Sequence, residues 1–317
     1  MPCYNPLVAW RVEGKIVFNP PSGSARLLKP FNLPCSKCIG CRFNYARSWA
    51  LRCQLEAWTT KLIHERSSCF ITLTFSNEEL EKRKNPWSVD KVDFQLFMKK
   101  LRKKHGENIR YFHCGEYGEK THRPHYHALI FGHDFRIKTK NNKVQKYGKG
   151  KYPLYNSSEL NNLWSKGHCT VGEFNFDTAS YTARYVTKKL KVEASKIHIN
   201  PIDGVVTNIE DVYCTMSRGN KKTKYNGIGE EAYYELQQSI INNDFITNGN
   251  GIKMKPPRYF DKLTEKEYPE KFKAIKKARK ETLDIVGYSI SDPKYKRLRD
   301  IEEVKLLKLK ETLRDLD

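Results

Sequence analysis

The chain has 317 residues, enough to bury a hydrophobic core in one large domain or two smaller ones. Lys and Arg number 58 against 36 Asp and Glu, and this net charge of +22 favours a polyanionic partner such as nucleic acid over a role in solubility alone. No apolar run approaches the roughly 18 residues of a membrane span, and the first residues lack the pattern of a signal peptide.

The N-terminal part, residues 1–66, is predicted to be a Cys-rich segment followed by a helix. Clusters of Pro, Gly and Ser interrupt residues 1–42. The next stretch lacks Gly and Pro and has apolar residues at helical spacing, which predicts a helix from about Phe43 to His64.

The segment "CSKCIGC" places three cysteines, Cys35, Cys38 and Cys41, at CxxCxxC spacing. Nine cysteines, an odd number, fit a reducing cytoplasm better than an extracellular disulfide framework. A structural zinc ion needs four ligands, so we expect Cys3 as the fourth, with Cys53 or His64 in second place. An iron–sulfur cluster and three ordinary thiols are the alternatives.

Residues 67–191 predict secondary structure in the order β-α-β-β-α-β-α. Ser157 or Ser158 is expected to cap the second helix and Asp177 the third. The first six elements match the split β-α-β pattern, which predicts an α+β, ferredoxin-like antiparallel sheet with helices on one face. The predicted strands contain "SSCFITLTFS", "NIRYFHCGEYG", "HYHALIFGH" and "HCTVGEFNF".

Two basic stretches with interspersed tyrosines, residues 135–152 and residues 217–225, are candidates for binding single-stranded DNA. Solvated loops are the alternative for both. Residues 192–260 are interpreted as an extension of the core that carries DNA-contacting loops. Residues 261–317 are predicted to be a basic helical tail for docking or self-association, with a leucine stripe at Leu306, Leu309, Leu313 and Leu316.

The segment "THRPHYHALIF" contains a His-x-His pair at the start of a predicted strand. His125 and His127 would share one face of the strand with their imidazole rings parallel. A hairpin would bring Glu116 close to both, and two imidazoles with one carboxylate suit Mg²⁺ or Mn²⁺. His113 and His122 are rival third ligands, and histidines without a metal are the alternative.

The segment "YTARYVTKK" repeats a tyrosine followed three residues later by a cation. Tyr181 and Tyr185 would lie on one helical face, with Arg184 and Lys188 beside them. A phenol, whose ordinary pKa is about 10, is a poor nucleophile near neutral pH, and a nearby cation lowers that pKa. Tyrosines that only pack against a sheet are the alternative.

The motif order "FITLTF", "HYH" and Y-x-x-x-Y-x-x-K resembles that of HUH endonucleases, in particular rolling-circle replication initiators. The segments "CGEYGEKTHRPHYHALIFG", "LWSKGHCTVGEF" and "CSKCIGCRFNYARSWALRC" are similar to microvirus initiators of the gokushovirus branch. The resemblance covers roughly residues 30–230.

The resemblance implies a metal-dependent nick at the viral origin by tyrosine attack, which leaves a 5′-phosphotyrosine link and a free 3′-OH, followed by strand transfer. Carried over by motif, His125, His127 and Glu116 become the metal ligands, Tyr181 and Tyr185 the nucleophiles, and Lys188 the motif lysine. Arg184 departs from the lysine that is commoner in related two-tyrosine initiators.

The implied setting is the cytoplasm of a bacterial host. No GxxxxGK[ST] segment is present, so a host helicase is expected to unwind the DNA and a host polymerase to extend it. A relaxase or transposase with the same site is one alternative function. A non-catalytic protein that binds single-stranded nucleic acid is the other.

Overall fold

A computed structural model describes residues 3–19, 22, 28–118, 121–147, 153–188, 197–199, 204–219, 227–248, 251–285 and 294–314. The strands are β1 (Leu7–Val12), β2 (Lys15–Val17), β3 (Phe31–Leu33), β4 (Ser68–Thr74), β5 (Arg110–Tyr117), β6 (Pro124–Phe131), β7 (Val144–Tyr147), β8 (Leu154–Ser157), β9 (Cys169–Glu173), β10 (Ile197–Ile199), β11 (Val206–Asn208), β12 (Tyr213–Met216), β13 (Ile246–Thr247) and β14 (Lys253–Met254). The helices are α1 (Ile39–Leu62), α2 (Asn77–Glu81), α3 (Lys91–His105), α4 (Ser158–Trp164), α5 (Phe176–Lys188), α6 (Glu230–Asn243), α7 (Arg258–Glu267), α8 (Pro269–Ile285) and α9 (Lys294–Arg314).

The chain divides into two compact units. One consists of Met1–Tyr45 together with Lys276–Asp317, and the other of Ala46–Ile275. The division into four parts suggested by the sequence stays a prediction. Within the described ranges, no helix is both long and apolar enough to cross a membrane.

The larger unit is built on a seven-stranded sheet in which every neighbouring pair is antiparallel, in the order β12-β5-β6-β4-β9-β8-β7. Across the sheet, the four central strands are β5, β6, β4 and β9. Along the chain these are the second, third, first and fourth of the four. A split β-α-β unit gives this order, because its first and third strands pair at the centre of the sheet. The predicted α+β class with an antiparallel sheet is therefore confirmed.

Helices pack on both faces of this sheet. α3 and α4 are the helices expected on one face, and they bury Phe94, Phe97 and Trp164 against alternate residues of β4, β6 and β9. On the other face lie α1 and α5, whose small residues Ala50 and Ala179 pack near Phe70 and Leu129. Because β4 and β6 are covered on both sides, each contains a run of consecutive apolar residues, 69–71 in β4 and 128–131 in β6.

Helices α4 and α5 each begin directly after a residue whose side chain caps the helix. Ser157 caps α4, where its hydroxyl accepts a hydrogen bond from the backbone N–H of Leu160. The prediction that Asp177 caps α5 is wrong, because that helix already begins at Phe176. Asn175 precedes it, and its side chain accepts a hydrogen bond from the N–H of Thr178 at 2.8 Å.

The smaller unit contains a three-stranded sheet of order β2-β1-β3 and the C-terminal helix α9. Leu298 and Leu306 of α9 pack against a small core of Tyr4, Cys38 and Ile39. Glu302 adds hydrogen bonds to the side chain of Asn5 and the backbone N–H of Ile39. Of the expected leucine stripe, Leu306 thus packs within the smaller unit. The side chains of Leu309 and Leu313, and the whole of Leu316, lie outside the described part of the structure.

Candidate active site

The hairpin of β5 and β6 places two histidines and one carboxylate together at its turn end. Glu116 on β5 stands directly opposite His125 on β6. The side chain of His127, two residues further along, lies on the same face of the sheet. Oε1 of Glu116 is 2.9 Å from Nε2 of His125 and 2.8 Å from Nε2 of His127. The three ligand atoms predicted from the sequence are therefore within reach of one ion.

The second nitrogen of each histidine has its own partner. Nδ1 of His125 lies 3.1 Å from the carbonyl oxygen of Arg123, which accepts only, so this nitrogen carries a proton. Nε2 of His125 is then the nitrogen that can coordinate a metal ion beside Glu116, as in metal sites where the outer nitrogen of a histidine donates to a carbonyl group. The residues present thus fit a divalent ion.

Thr72 on β4 is the partner of the other histidine and was not predicted from the sequence. Its hydroxyl lies 2.9 Å from Nδ1 of His127, its cross-strand neighbour. The imidazole rings of His125 and His127 are not parallel, as had been expected, but meet at 82° with centroids 4.9 Å apart. They turn because both Nε2 atoms converge on the same oxygen of Glu116.

The carboxyl group of Glu116 is only 2% exposed. Burial acts to raise its pKa, but the hydrogen bonds from His125 and His127 outweigh burial and lower the pKa to about 2. Glu116 is therefore ionised across the neutral range, as a metal ligand must be.

Tyr181 contacts this cluster from α5, on the face of the sheet that α1 also covers. Helix α5 packs over β5, β6 and β12, and the ring of Tyr181 meets the ring of His127 edge-on with centroids 5.4 Å apart. It also packs edge-on against Phe70, 6.3 Å away. The structure thus brings the first predicted nucleophile beside the predicted metal ligands.

The other predicted residues of this motif lie further along the same helix. α5 continues to Lys188, so Tyr185 lies about one helical turn beyond Tyr181. The side chains of Tyr185 and Lys188, and that of Arg184, are outside the described part of the structure.

Neither of the two rival ligands belongs to the described group of Glu116, His125 and His127. His113 faces the opposite side of the sheet, where its ring stacks on Phe94 at a centroid distance of 3.7 Å. Its Nδ1 is 2.9 Å from the hydroxyl of Thr215, and burial lowers the pKa of His113 to about 3. His122 lies in the turn between the strands with a φ of 51°.

The cysteine motif forms a second candidate metal centre, in the smaller unit. Sγ atoms of Cys3, Cys35, Cys38 and Cys41 all lie within 4.8 Å of one another, so Cys3 takes the expected fourth place. Cys53 is buried in the larger unit, and His64 pairs with Glu231 there.

The geometry of the four cysteines fits zinc. Sγ of Cys3 lies 3.8 Å from that of Cys38, close to the ~3.8 Å edge of a tetrahedron with Zn–S bonds of about 2.3 Å. Burial acts to raise the pKa of Cys38, but the backbone N–H groups of Cys41 and Tyr4 point at its sulfur and the pKa falls to about 7. The site thus stabilises the thiolate of Cys38, the form that zinc requires, while burial raises the pKa of the Cys3 and Cys41 thiols.

The two basic stretches are only partly described. In the first, Asn142 is buried and donates to the carbonyl oxygens of Phe135 and Ile137, and β7 pairs with β8. This part is an ordered hairpin, while residues 148–152 lie outside the described residues. In the second stretch, the hydroxyl of Ser217 accepts a hydrogen bond from the backbone N–H of Tyr111. Residues 220–226 lie outside the described residues as well.

The chain is similar to known proteins over most of its length. The family model described as Replication-associated protein ORF2/G2P matches residues 68–190, which include β4 to α5. The replication-associated protein VP4 of Bdellovibrio phage phiMH2K is 32% identical over 285 residues, covering 86% of this chain and 80% of that protein. The chain belongs to the replication-associated proteins of microviruses.

Two further members of this family are similar over much of their length. The replication-associated protein ORF2 of Spiroplasma virus 4 is 32% identical, covering 76% of this chain and 70% of that protein. The replication-associated protein ORF4 of Chlamydia phage 1 is 28% identical, covering 86% of this chain and 65% of that protein. No solved structure matches the chain.

Proposed function

We propose that this chain is a rolling-circle DNA replication initiator that nicks single-stranded DNA at the viral origin through a tyrosine. The observation that carries the proposal is the ring of Tyr181, which lies 5.4 Å from the ring of His127 in the cluster with Glu116 and His125. Membership in the replication-associated proteins of phages supports the role in replication. The net charge of +22 supports a nucleic-acid substrate.

In this mechanism Glu116, His125 and His127 would hold a divalent ion, Mg²⁺ or Mn²⁺. When bound, such an ion polarises a phosphate oxygen and stabilises the negative charge that develops on it. Thr72 and the carbonyl group of Arg123 keep the two imidazoles turned toward Glu116, so that the site is ordered before DNA arrives.

The phenol oxygen of Tyr181 or Tyr185 attacks the phosphorus atom of the scissile phosphodiester. The bond from phosphorus to the 3′ oxygen breaks, the phenol loses its proton and the leaving 3′ oxygen gains one. The products are a 5′-phosphotyrosine link and a free 3′-OH, which a host polymerase extends while a host helicase unwinds the duplex. The second tyrosine then cuts the regenerated origin, and the 3′-OH released there attacks the first link and closes the circle. Lys188 would hold a phosphate oxygen.

A covalent-capture experiment tests this proposal. Single-stranded DNA from the origin region of the phage genome is labelled at its 3′ end and incubated with the protein and Mn²⁺. The 3′ label should travel with the protein on a denaturing gel, while a 5′ label should appear on a shorter strand that a polymerase extends. Chelator and the double change His125→Ala/His127→Ala should abolish both signals.

The tyrosines are tested against a matched control. Changing Tyr181 and Tyr185 together to Phe should abolish the adduct. Tyr155→Phe, on β8 at the far side of the same sheet, should retain it. A protein that binds the DNA with metal present but forms no adduct would instead be a non-catalytic binder. Nicking without subsequent joining of the 3′-OH would contradict the strand-transfer step.

A further inference from the structure

A second set of two histidines and one carboxylate lies outside the site described above. His105 is the last residue of α3, His133 follows the end of β6, and Glu159 lies in the first turn of α4. His133 thus lies beyond the end of β6 opposite to the end that carries His125 and His127. The two imidazoles and the carboxylate offer ligand atoms that all lie within 4.8 Å of one another.

Both oxygens of Glu159 face an imidazole. Nε2 of His105 is 2.6 Å from Oε1, and Nε2 of His133 is 3.7 Å from Oε2. The two rings lie with their centroids 4.1 Å apart and their planes at 36°. Two rings this close present their Nε2 atoms to one small space, as the ligands of a single ion do.

His133 has a polar atom that its surroundings do not satisfy. Its Nε2 is inaccessible to solvent and has no hydrogen-bond partner among the described residues. Glu159 is 7% exposed, so a carboxylate is buried at the same place. A buried nitrogen without a partner is costly, and an ion coordinated by that nitrogen removes the cost.

Lys104 is the competing cation at this place. Its Nζ lies 2.5 Å from Oε1 of Glu159, and its side chain is 44% exposed. The long lysine side chain can therefore turn into solvent and leave the carboxylate to a metal ion. The opposing interpretation is an ion-pair cluster that Lys104 completes without any metal.

The donor set indicates which metal fits. Two imidazole nitrogens and one carboxylate oxygen are a ligand set that Zn²⁺ accepts, with a water molecule in the fourth position. At the Glu116 cluster, oxygens of a DNA phosphate would complete the coordination shell of Mg²⁺ or Mn²⁺. No phosphate is implied at His105, His133 and Glu159, and two imidazoles with one carboxylate alone suit Zn²⁺ better than Mg²⁺ or Ca²⁺, which prefer oxygen ligands. We propose that His105, His133 and Glu159 bind one Zn²⁺ ion, which joins the ends of α3 and β6 to the start of α4.

Zinc content per chain tests this proposal. The full-length protein is stripped with chelator, dialysed against limiting Zn²⁺ and measured by elemental analysis. Glu159→Gln, which keeps the side-chain shape, should hold one zinc equivalent fewer than the unaltered protein. Both proteins retain the four cysteines and the Glu116 cluster, so the difference counts this site alone.

Two further variants separate a metal site from an ion-pair cluster. Lys104→Met removes the competing cation and should tighten zinc binding about fivefold. His133→Gln should lose the same single equivalent as Glu159→Gln, with near-ultraviolet circular dichroism confirming that each variant is folded. Equal zinc content in the unaltered protein, Glu159→Gln and His133→Gln would overturn the proposal. So would a Lys104→Met variant that loses thermal stability without gaining zinc affinity.

Discussion

The hydroxyl of Thr72 lies 2.9 Å from Nδ1 of His127, which stands directly opposite it on the neighbouring strand. The contact fixes the imidazole ring with Nε2 toward Glu116. Thr72→Val keeps the shape of the side chain and removes the hydroxyl. We expect it to weaken divalent-metal affinity and adduct formation by roughly 10–100-fold, the usual effect of losing such an orienting partner.

Thr72→Ser is the matched control, because it keeps the hydroxyl and should retain most of the activity. Metal titrations followed by adduct yield provide the measurement, and added Mn²⁺ should partly restore the Val variant. Equal metal affinity in the Val and Ser variants would show that the hydroxyl does not position His127.

His113 should make stability depend on pH without contributing to the site. Burial lowers the pKa of His113 from 6.5 to about 3, so the folded protein keeps it neutral where the unfolded chain takes up a proton. Its contribution to stability is complete above pH 6.5 and is lost as the pH falls toward 3. The loss from this one group is about 1.4 kcal/mol per pH unit in that window.

The variant His113→Leu removes this proton uptake. Urea unfolding between pH 7 and pH 4 should show a shallower fall of the unfolding free energy than in the unaltered protein. Adduct formation at neutral pH should persist, because His113 faces away from Glu116 and stacks on Phe94. If the unfolding free energies of His113→Leu and the unaltered protein fell equally with pH, His113 would have the same pKa in the folded and unfolded states.

The sequence predicted those strands of the sheet in which runs of apolar residues coincide with buried positions. β4 and β6 are buried on both faces, so their apolar runs identify them directly. The hairpin of β7 and β8 escaped prediction because its residues, such as Lys146 and Asn156, are polar. The side chain of Asn142 donates a hydrogen bond to the carbonyl oxygen of Phe135 and accepts one from the hydroxyl of Ser157, contacts that the sequence pattern does not reveal.

The residues of the candidate sites also fall into those that the sequence could predict and those that only the fold reveals. His125 and His127 were predictable because their spacing alone puts them on one face of a strand. Thr72 was not, because the register that pairs it with His127 is a property of the folded sheet. His105, His133 and Glu159 form no motif at all, since three separate elements bring them together.

Zinc at the cysteine cluster gives a prediction in the smaller unit. Cys38→Ser should lose one zinc equivalent per chain, because the sulfur of Cys38 is the one toward which two backbone N–H groups point. Cys214→Ala, a change in the larger unit, should keep its zinc. Adduct formation should survive in Cys38→Ser, since Glu116 and Tyr181 belong to the other compact unit. Unchanged zinc content in Cys38→Ser would contradict the assignment.

A buried ion pair links α1 to β5 in the larger unit. Oε1 of Glu56 lies 2.9 Å from a guanidinium nitrogen of Arg110, and the N–H of Gly229 donates to Oε2 at 2.7 Å. Burial nevertheless raises the pKa of Glu56, although Arg110 and Gly229 act to lower it. Arg110→Met leaves this carboxyl group buried without its cation, and we expect a loss of about 3–5 kcal/mol in unfolding free energy.

Replacing both partners separates the pair from its surroundings. The double change Glu56→Gln/Arg110→Met leaves no charge to bury and keeps an oxygen for the N–H of Gly229. The unfolding free energy that the double variant loses, measured with urea, should therefore be smaller than the sum of the losses in the two single variants. Each single change leaves the other side chain buried without its partner. Losses that simply add would mean that the two charges do not stabilise each other, and that Arg110 acts through its packing alone.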